Sequence, residues 1–254
     1  MFIDTHAHLF YPNFDGELDE IISRAKQDNV DYILVPATDL KTAEQVIELT
    51  KKYEKVYGAV GVHPHDTKDW DSSIISEIEK LAKNKKIVAI GEIGLDYYYD
   101  FSPKEKQIEA FKAQIDLALK LDLPVIIHNR DSDEDMMNII RTYCGSGLKG
   151  QFHCYNGSLE DAMELVGMNF MISFTGNITF KKADGLRNIL QHISPENLLL
   201  ETDSPFMTPV PHRGKRNEPA FVLEIADKIA ELKSKSLEEV ATDTTINAAR
   251  LFQW

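Results

Sequence analysis

Two histidines, His6 and His8, follow the short apolar run Phe2-Ile3 near the start of the chain. Residues two apart in an extended strand project from the same face of a sheet, so these side chains can direct two imidazole nitrogens at one point. Neutral imidazole is a common ligand of zinc, iron, nickel and copper. The pair therefore predicts a metal site at the end of the first strand.

Further histidines and acids follow other short apolar runs. They are His63, His65, Glu92, His128, His153 and Asp203. In a parallel barrel, the residues that carry out chemistry lie at the carboxyl ends of the strands. Because these residue types stand where apolar runs end, the sequence predicts one site that several strands build together.

Six of these residues form a mixed set of imidazole and carboxylate donors: His6, His8, Glu92, His128, His153 and Asp203. Such a set accepts Mg, Mn or Zn. It is larger than the set that one catalytic ion with an open coordination position uses, and it fits two ions about 3.5–4 Å apart. We therefore predict a dinuclear centre that holds two divalent metal ions.

The elements that must position these residues follow from the pattern of the whole chain, in which apolar runs alternate with amphipathic stretches. Strands are predicted over residues 2–6, 32–36, 57–62, 88–91, 125–128, 150–153, 170–174 and 198–201, and helical spacing occurs over 18–25, 74–82, 108–121, 159–166 and 221–232. Eight such units predict an α/β fold, a TIM-type (β/α)8 barrel formed as one domain by residues 1–254. An additional C-terminal helix over 237–252 is expected on the outside of the barrel. An open doubly wound sheet is the alternative, although no glycine-rich dinucleotide fingerprint supports it.

Several motifs together resemble the TatD-type metal-dependent deoxyribonucleases of the amidohydrolase superfamily, and the resemblance runs from end to end. The motifs are Asp4-Thr5-His6-Ala7-His8, Gly61-Val62-His63-Pro64-His65, Gly91-Glu92-Ile93-Gly94-Leu95-Asp96-Tyr97, His128-Asn129-Arg130, His153-Cys154-Tyr155, Glu201-Thr202-Asp203-Ser204-Pro205 and Pro211-His212-Arg213-Gly214-Lys215-Arg216-Asn217-Glu218-Pro219. The resemblance implies a TIM-type barrel with two divalent cations.

The resemblance also implies roles for the ligands. Glu92 bridges the two ions, His6, His8 and Asp203 hold one of them, and His128 and His153 hold the other. Asp203 is in addition the implied general base, which takes a proton from the water that attacks phosphorus. Glu92 and Asp203 are therefore the expected catalytic residues.

Other polar residues near the predicted ligands are candidates for substrate binding. His63 and His65 could themselves be ligands, but the six residues already complete the set, so we expect them to support the ligands or to contact phosphate. Arg130 follows His128 by two residues, where its guanidinium could clamp a phosphate. His212 and Arg213 belong to the basic loop 211–219, which follows Asp203 and could attract an anionic substrate.

The same loop supplies an acid, Glu218, which we expect to orient His212 or Arg213. Aromatic residues follow two of the predicted ligands: Tyr97, Tyr98, Tyr99 and Phe101 come after Glu92, and Phe206 comes after Asp203. Bases stack on such rings with little sequence preference, which suits single strands or frayed ends. Packing of the loops onto the barrel is the alternative role for each ring.

Composition limits the class of protein. The chain has 254 residues with 43% hydrophobic and 27% charged content, which is typical of a globular protein, and neither a membrane span nor a signal peptide is evident. Cytoplasmic location and no membrane partner are therefore expected. The formal charge of −13 argues against broad adhesion to nucleic acid, yet an acidic chain can still bind phosphates through bound cations. Two cysteines are too few for a disulfide framework or a thiolate zinc site.

Three functions remain open at this stage. The leading one is a metal-dependent hydrolase that cleaves phosphodiester bonds of DNA as an exonuclease, with single strands or 3′ ends as its substrate. The second keeps the hydrolase but changes the bond to a carboxylic ester or amide, such as a D-aminoacyl group on tRNA. The third is a metal-holding protein that binds a partner without turnover. No obligate protein partner is evident, and the sequence is compatible with a monomer.

Overall fold

The computed structural model describes residues 1–253 and contains one sheet of eight strands. The strands are β1 (Phe2–Asp4), β2 (Val30–Pro36), β3 (Val56–Val60), β4 (Ile87–Asp96), β5 (Val125–Arg130), β6 (Gly150–Phe152), β7 (Phe170–Phe174) and β8 (Leu198–Leu200). Neighbouring strands pair in parallel and follow the order of the chain from β1 to β8. This sequential order lacks the reversal of an open doubly wound sheet.

Each strand is followed by at least one helix on the way to the next. The helices are α1 (Leu18–Gln27), α2 (Leu40–Lys52), α3 (Ser73–Ala82), α4 (Lys104–Leu121), α5 (Asp133–Thr142), α6 (Leu159–Gly167), α7 (Asp184–His192), α8 (Val222–Lys233) and α9 (Leu237–Phe252). The predicted TIM-type barrel with an additional C-terminal helix is confirmed. Within residues 1–253, no helix is both long and apolar enough to cross a membrane.

The barrel closes between its first and last strands. The Thr5 amide donates to the Leu200 carbonyl over 2.9 Å, and Ala7 forms an isolated parallel bridge with Ser204. The Asp4 carboxylate accepts hydrogen bonds from the Thr202 amide (2.9 Å) and the Thr202 hydroxyl (2.6 Å) across the same seam. These contacts bring the segments after β1 and β8 side by side.

The C-terminal helix packs on the outside of the barrel, as the sequence predicts, and it does so across one end. Its apolar residues Ala248 and Leu251 join the cluster that fills the barrel interior, which includes Leu34 and Leu199. The Asn247 side chain donates to the Leu198 carbonyl at the start of β8. The helix packs there because the amino-terminal end of the barrel leaves interior apolar side chains that a further element must bury.

Two strand boundaries differ from the sequence prediction in ways that matter for the site. β1 ends at Asp4, so His6 and His8 lie just beyond it in a segment held by the bridge at Ala7. β4 continues to Asp96, and its pairing with β5 shifts register around Glu92, which therefore lies inside the strand. A register shift of this kind changes the direction of one side chain within an otherwise regular strand, and here that side chain is Glu92.

Candidate metal centre

Four polar atoms meet above the seam between β1 and β8. His6 Nε2 and His8 Nε2 are 3.1 Å apart, and Asp203 Oδ1 lies 3.9 Å from the first and 3.6 Å from the second. Glu92 Oε2 is 3.3 Å from His6 Nε2 and 3.4 Å from His8 Nε2. We refer to these four residues as group A. Its geometry is that of ligands arranged around a common point.

A second convergence lies on the other side of Glu92. His128 Nδ1 and His153 Nε2 are 3.2 Å apart, and they lie 3.0 and 2.8 Å from Glu92 Oε1. His63 Nε2 is 3.4 Å from the same oxygen. We refer to His128, His153 and Glu92 as group B. The two oxygens of one carboxylate thus face two separate groups of donors.

Glu92 is buried and surrounded by imidazoles. Burial on its own raises the pKa of its carboxyl group, but His153, His63 and His6 outweigh burial and lower that pKa well below its usual range. Glu92 is therefore an anion at neutral pH. A buried anion surrounded by imidazole nitrogens is an arrangement that suits a bound cation.

The donor spacing fits divalent metals. Two nitrogens at 2.0–2.1 Å from a tetrahedral ion are about 3.3 Å apart, close to the 3.1 Å between His6 and His8 and the 3.2 Å between His128 and His153. Burial lowers the pKa of His8 to about 4, so this imidazole carries no positive charge at neutral pH and its Nε2 can bind a metal. The spacing of the histidine nitrogens therefore fits divalent metal ions.

Carbonyl and carboxylate oxygens orient two of the candidate ligands from behind. His8 Nδ1 lies 3.2 Å from the Pro36 carbonyl oxygen, which leaves Nε2 free to bind. His128 Nε2 lies 2.9 Å from Asp96 Oδ2, which leaves Nδ1 for group B. Hydrogen bonds of this kind fix the tautomer of a ligating histidine and raise its basicity. Burial lowers the pKa of His128, but hydrogen bonds with Asp96 and Glu92 outweigh burial and raise this pKa to about 9.

Glu201 lies beneath both groups, and the sequence analysis gives it no role. Its Oε2 accepts a hydrogen bond from the Gln151 amide (2.9 Å) and faces His6 Nδ1 and His153 Nδ1 at 3.9 and 4.0 Å. Neither Nδ1 atom has a hydrogen-bond partner within residues 1–253, and the two rings stack with centroids 4.0 Å apart. One carboxylate oxygen therefore faces a histidine of group A and a histidine of group B. The only signal in the sequence is its place at the end of the eighth apolar run.

Asp203 is the least enclosed carboxylate of group A, with 14% of its side chain exposed. Burial, followed by the nearby negative charge of Glu92, raises the pKa of Asp203 well above its usual range. The two carboxylates of group A are thus pushed in opposite directions, Glu92 toward the anion and Asp203 toward the protonated form. Such a pair is the usual basis for dividing acid and base roles between neighbouring carboxylates.

The second His-x-His pair spans the start of the short 3-10 helix Pro64–Asp66 after β3 and borders group B. His63 Nδ1 accepts a hydrogen bond from the His65 amide (3.2 Å), so a neutral His63 carries its proton on Nε2, the atom that faces Glu92. His65 Nε2 lies 2.8 Å from Asp96 Oδ2, the oxygen that also meets His128. In this tautomer His63 is a donor toward the centre, and His65 shares the support of His128.

Arg130 ends β5, where its guanidinium lies 3.8 Å from the centre of the Tyr98 ring and 5.0 Å from that of Tyr99. The side chain is held by cation–π contacts at the carboxyl end of the barrel. Its strand neighbour His128 belongs to group B. The structure thus places this charge two residues from a candidate ligand and on an aromatic support.

The basic loop is fastened to other elements. His212 stacks on Phe221 with ring centroids 4.0 Å apart and lies 3.3 Å from Glu224. Arg213 lies 3.7 Å from the centre of the Phe180 ring, after β7. The phosphate contacts predicted for His212 and Arg213 stay predictions.

The expected partner of these two side chains, Glu218, lies elsewhere. It pairs with Arg24 of α1 through two hydrogen bonds of 2.8 and 2.7 Å. Arg216 likewise pairs with Glu17 over 2.7 Å. The expectation that Glu218 orients His212 or Arg213 is wrong, because barrel closure brings the loop against α1, which supplies a bidentate partner.

Gly94 shows why the Gly-Glu-Ile-Gly motif needs a glycine at its end. Its φ is +144°, and a Cβ atom there would lie 1.9 Å from the His128 carbonyl oxygen. Gly94 and His128 are partners in the pairing of β4 with β5. Only glycine lets the two strands approach closely enough to bring Glu92 and His128 together.

The fold and the buried imidazole and carboxylate groups define the class as a TIM-type barrel with a candidate metal centre at the carboxyl ends of its strands. The chain belongs to the family described as TatD related DNase, whose model matches residues 3–253.

Relatives agree with this assignment. One is named "Uncharacterized metal-dependent hydrolase YabD" of Bacillus subtilis (strain 168), 46% identical over 253 residues that cover 100% of this chain and 99% of the relative. Another is named "3'-5' ssDNA/RNA exonuclease TatD" of Erwinia amylovora, 31% identical over 255 residues that cover 98% of both chains.

A solved structure is also similar. The crystal structure of YjjV, a TatD homolog from Escherichia coli K12, superimposes with a TM-score of 0.93 at 31% identity, covering 100% of this chain and 98% of that one. This chain is thus a metal-dependent hydrolase of the TatD family.

Proposed function

We propose that this hydrolase cleaves phosphodiester bonds of DNA and removes nucleotides from an end of the strand. The observation that carries the proposal is Glu92, whose two carboxylate oxygens face two separate groups of histidine donors. A carboxylate in this position can bridge two ions about 3.5–4 Å apart, the arrangement typical of nucleases and phosphatases. Mg, Mn and Zn all suit the mixed donor set.

The proposal assigns one ion to each group. His6, His8 and Asp203 would hold one ion, His128 and His153 the other, and Glu92 both. Two divalent ions bound there would polarise the phosphoryl oxygens and lower the pKa of water, so that a nucleophile forms at neutral pH. Every remaining step falls to side chains of this chain.

Asp203 is the proposed general base. Its pKa is raised by burial and by Glu92, and its carboxylate is the most accessible in group A, so it can take the proton of the attacking water. His63 presents an N–H toward the centre, where it can donate to a phosphoryl oxygen. Arg130 supplies a fixed positive charge that can hold the next phosphate. Together these three side chains would hold the phosphodiester beside Asp203.

A nucleic-acid substrate is supported by two further observations. The Erwinia relative bears the name of a 3′–5′ exonuclease for single-stranded DNA and RNA. Exposed aromatic side chains follow β4 and β8, as strand binding by base stacking requires. The charge of −13 means that phosphate affinity must come from the bound cations and from a few local side chains.

The test is digestion of end-labelled single-stranded DNA by metal-stripped protein, with Mg, Mn or Zn restored. We expect stepwise shortening with metal, none for Glu92→Ala, and shortening slowed by about 10²–10⁴-fold for Asp203→Asn. A parallel reaction with mischarged tRNA examines the ester alternative. Deacylation without DNA cleavage would overturn the phosphodiesterase proposal, and an Asp203→Asn protein that keeps full function would favour binding without turnover.

A further inference from the structure

Exposed aromatic side chains occur in only two places within residues 1–253. Tyr98, Tyr99 and Phe101, which follow β4, are 56%, 40% and 57% exposed, and Phe206, which follows β8, is 50% exposed. Every other Phe, Tyr and Trp of the described chain is buried or partly buried. Exposed apolar groups that concentrate around one opening of a fold usually mark a binding surface. The carboxyl end of the barrel is therefore the place to look for their ligand.

The first of the two places stands beside group A. Phe206 makes edge-to-face contacts with Tyr11 (ring centroids 5.6 Å apart) and with His8 (6.4 Å apart). Tyr11 in turn contacts His8 with centroids 5.3 Å apart. We refer to Tyr11 and Phe206 as the Phe206 wall. Both of its rings contact the candidate metal ligand His8, and half of the Phe206 side chain stays exposed to solvent.

The second place stands beside group B. Tyr98 carries the Arg130 guanidinium 3.8 Å from its ring centre, and Tyr99 stacks with Phe101 at a centroid distance of 5.1 Å and an angle of 17°. Phe101 also contacts His65 with centroids 4.8 Å apart. We refer to Tyr98, Tyr99 and Phe101 as the tyrosine wall. Stacking among these side chains already fixes them, so a base that lies on them loses little side-chain freedom.

The two walls lie on opposite sides of the centre. In a ring of eight strands in chain order, β8 and β4 are four strands apart, which is the largest separation that the ring allows. The Glu92 carboxylate lies between them, with Oε2 3.4 Å from His8 and Oε1 3.0 Å from His128. A phosphodiester held at the centre therefore has one wall on each side.

We propose that the two walls bind the two bases that flank the cleaved phosphodiester, one base on each wall, so that these neighbouring bases are drawn apart. This inference rests on the proposed function and adds a source of substrate selection to it. Bases of a duplex remain stacked and paired, so they cannot reach opposite walls without melting. The walls thus select single strands and frayed ends.

The test measures binding rather than cleavage. Full-length protein loaded with Mn²⁺ is titrated into fluorescein-labelled single-stranded DNA of about ten nucleotides, with phosphorothioate linkages at both ends to prevent cleavage. Parallel oligonucleotides carry one abasic residue at the last or the last-but-one position of either end. We expect Phe206→Leu and Tyr98→Leu each to raise the Kd about tenfold, in keeping with the loss of one base–aromatic stack. Phe206→Tyr should restore binding.

The position of the abasic residue gives the decisive result. At the end that enters the site, the effect of Phe206→Leu on the Kd should vanish when either the last or the last-but-one base is absent. The effect of Tyr98→Leu should vanish when the other of these two bases is absent. Ile246→Ala, an exposed apolar position on α9, is the matched control and should leave the Kd unchanged. Coupling of both walls to the same base, or Kd changes below twofold, would overturn the inference. Base-specific coupling in a protein that cleaves no DNA would support the walls and defeat the proposed function.

Discussion

Replacement of Glu201 by glutamine is expected to weaken metal binding although Glu201 is not a proposed ligand. The carboxylate is buried, and its Oε2 faces the Nδ1 atoms of His6 and His153 at 3.9 and 4.0 Å. Neither Nδ1 atom has a hydrogen-bond partner within residues 1–253. When Nε2 of each ring binds an ion, its Nδ1–H needs an acceptor, and Glu201 is the oxygen in place. Glutamine keeps the shape but replaces one acceptor oxygen with an NH2 donor.

The expected magnitude follows from this geometry. Loss of the acceptor behind one ligating histidine typically lowers metal affinity about 10–100-fold, or about 1.4–2.7 kcal/mol. Because His6 belongs to group A and His153 to group B, Glu201→Gln should weaken both ions by this factor. A substitution behind a single ligand, such as Asp96→Asn behind His128, should weaken mainly the ion at group B.

The assay is a competition titration of metal-stripped protein against a chromophoric chelator with Zn²⁺. Glu164→Gln, the same substitution at a surface pair with Arg141, is the matched control and should leave both affinities unchanged. Thermal unfolding of the metal-free proteins checks that the variant is folded. Two Kd values within threefold of those of the unmodified protein would refute the reasoning that Glu201 supports both groups.

Further predictions concern the proposed general base, the release of a proton on metal binding, the phosphate contact of Arg130 and the backbone at Gly94. Asp203→Asn should lower the rate constant for cleavage by about 10²–10⁴-fold, while the ion at group B stays bound in a metal analysis. The pKa of His128 is about 9 in the metal-free protein, so metal binding at group B should release about one proton per ion at pH 7. Metal affinity at group B should therefore rise about tenfold per pH unit from pH 7 to 9. Calorimetry in two buffers of different ionisation heat measures the proton release, and its absence contradicts the prediction. Arg130→Lys should raise KM for DNA about tenfold with little change in kcat, because lysine keeps the charge but loses the planar contact with Tyr98; an equal fall in kcat argues for a role in chemistry instead. Gly94→Ala should cost more than about 4 kcal/mol of unfolding free energy, since its Cβ would meet the His128 carbonyl oxygen at 1.9 Å; a denaturant midpoint near that of the unmodified protein contradicts this account.

The barrel could be predicted because its determinants are local. Apolar runs and amphipathic stretches report strands and helices separately, and eight repeats leave few architectures. The candidate ligands could be found for the same reason: residues such as His128 and His153 lie where apolar runs end, and one rule about strand ends collects them. The sequence also predicts the final helix on the outside of the barrel, but periodicity shows only that α9 is amphipathic and not which surface it covers.

What the sequence analysis missed depends on contacts between distant segments. Asp4 and Thr202 are 198 residues apart and meet only because the barrel closes. Burial raises the pKa of Asp4 to about 7, and no pattern in the chain signals a buried acid that ties two loops together. Glu201 and Asp96 support ligands from other strands, and Arg24 takes Glu218 away from its expected partners. Each of these pairings requires the three-dimensional order of the strands.

The central claim, that Glu92 bridges two metal ions, is tested most directly by anomalous diffraction from crystals of this protein grown with Mn²⁺. The account predicts two anomalous peaks about 3.5–4 Å apart with the Glu92 carboxylate between them, one contacted by His6 and His8 and the other by His128 and His153. A single peak, or two peaks that do not share Glu92, would contradict it.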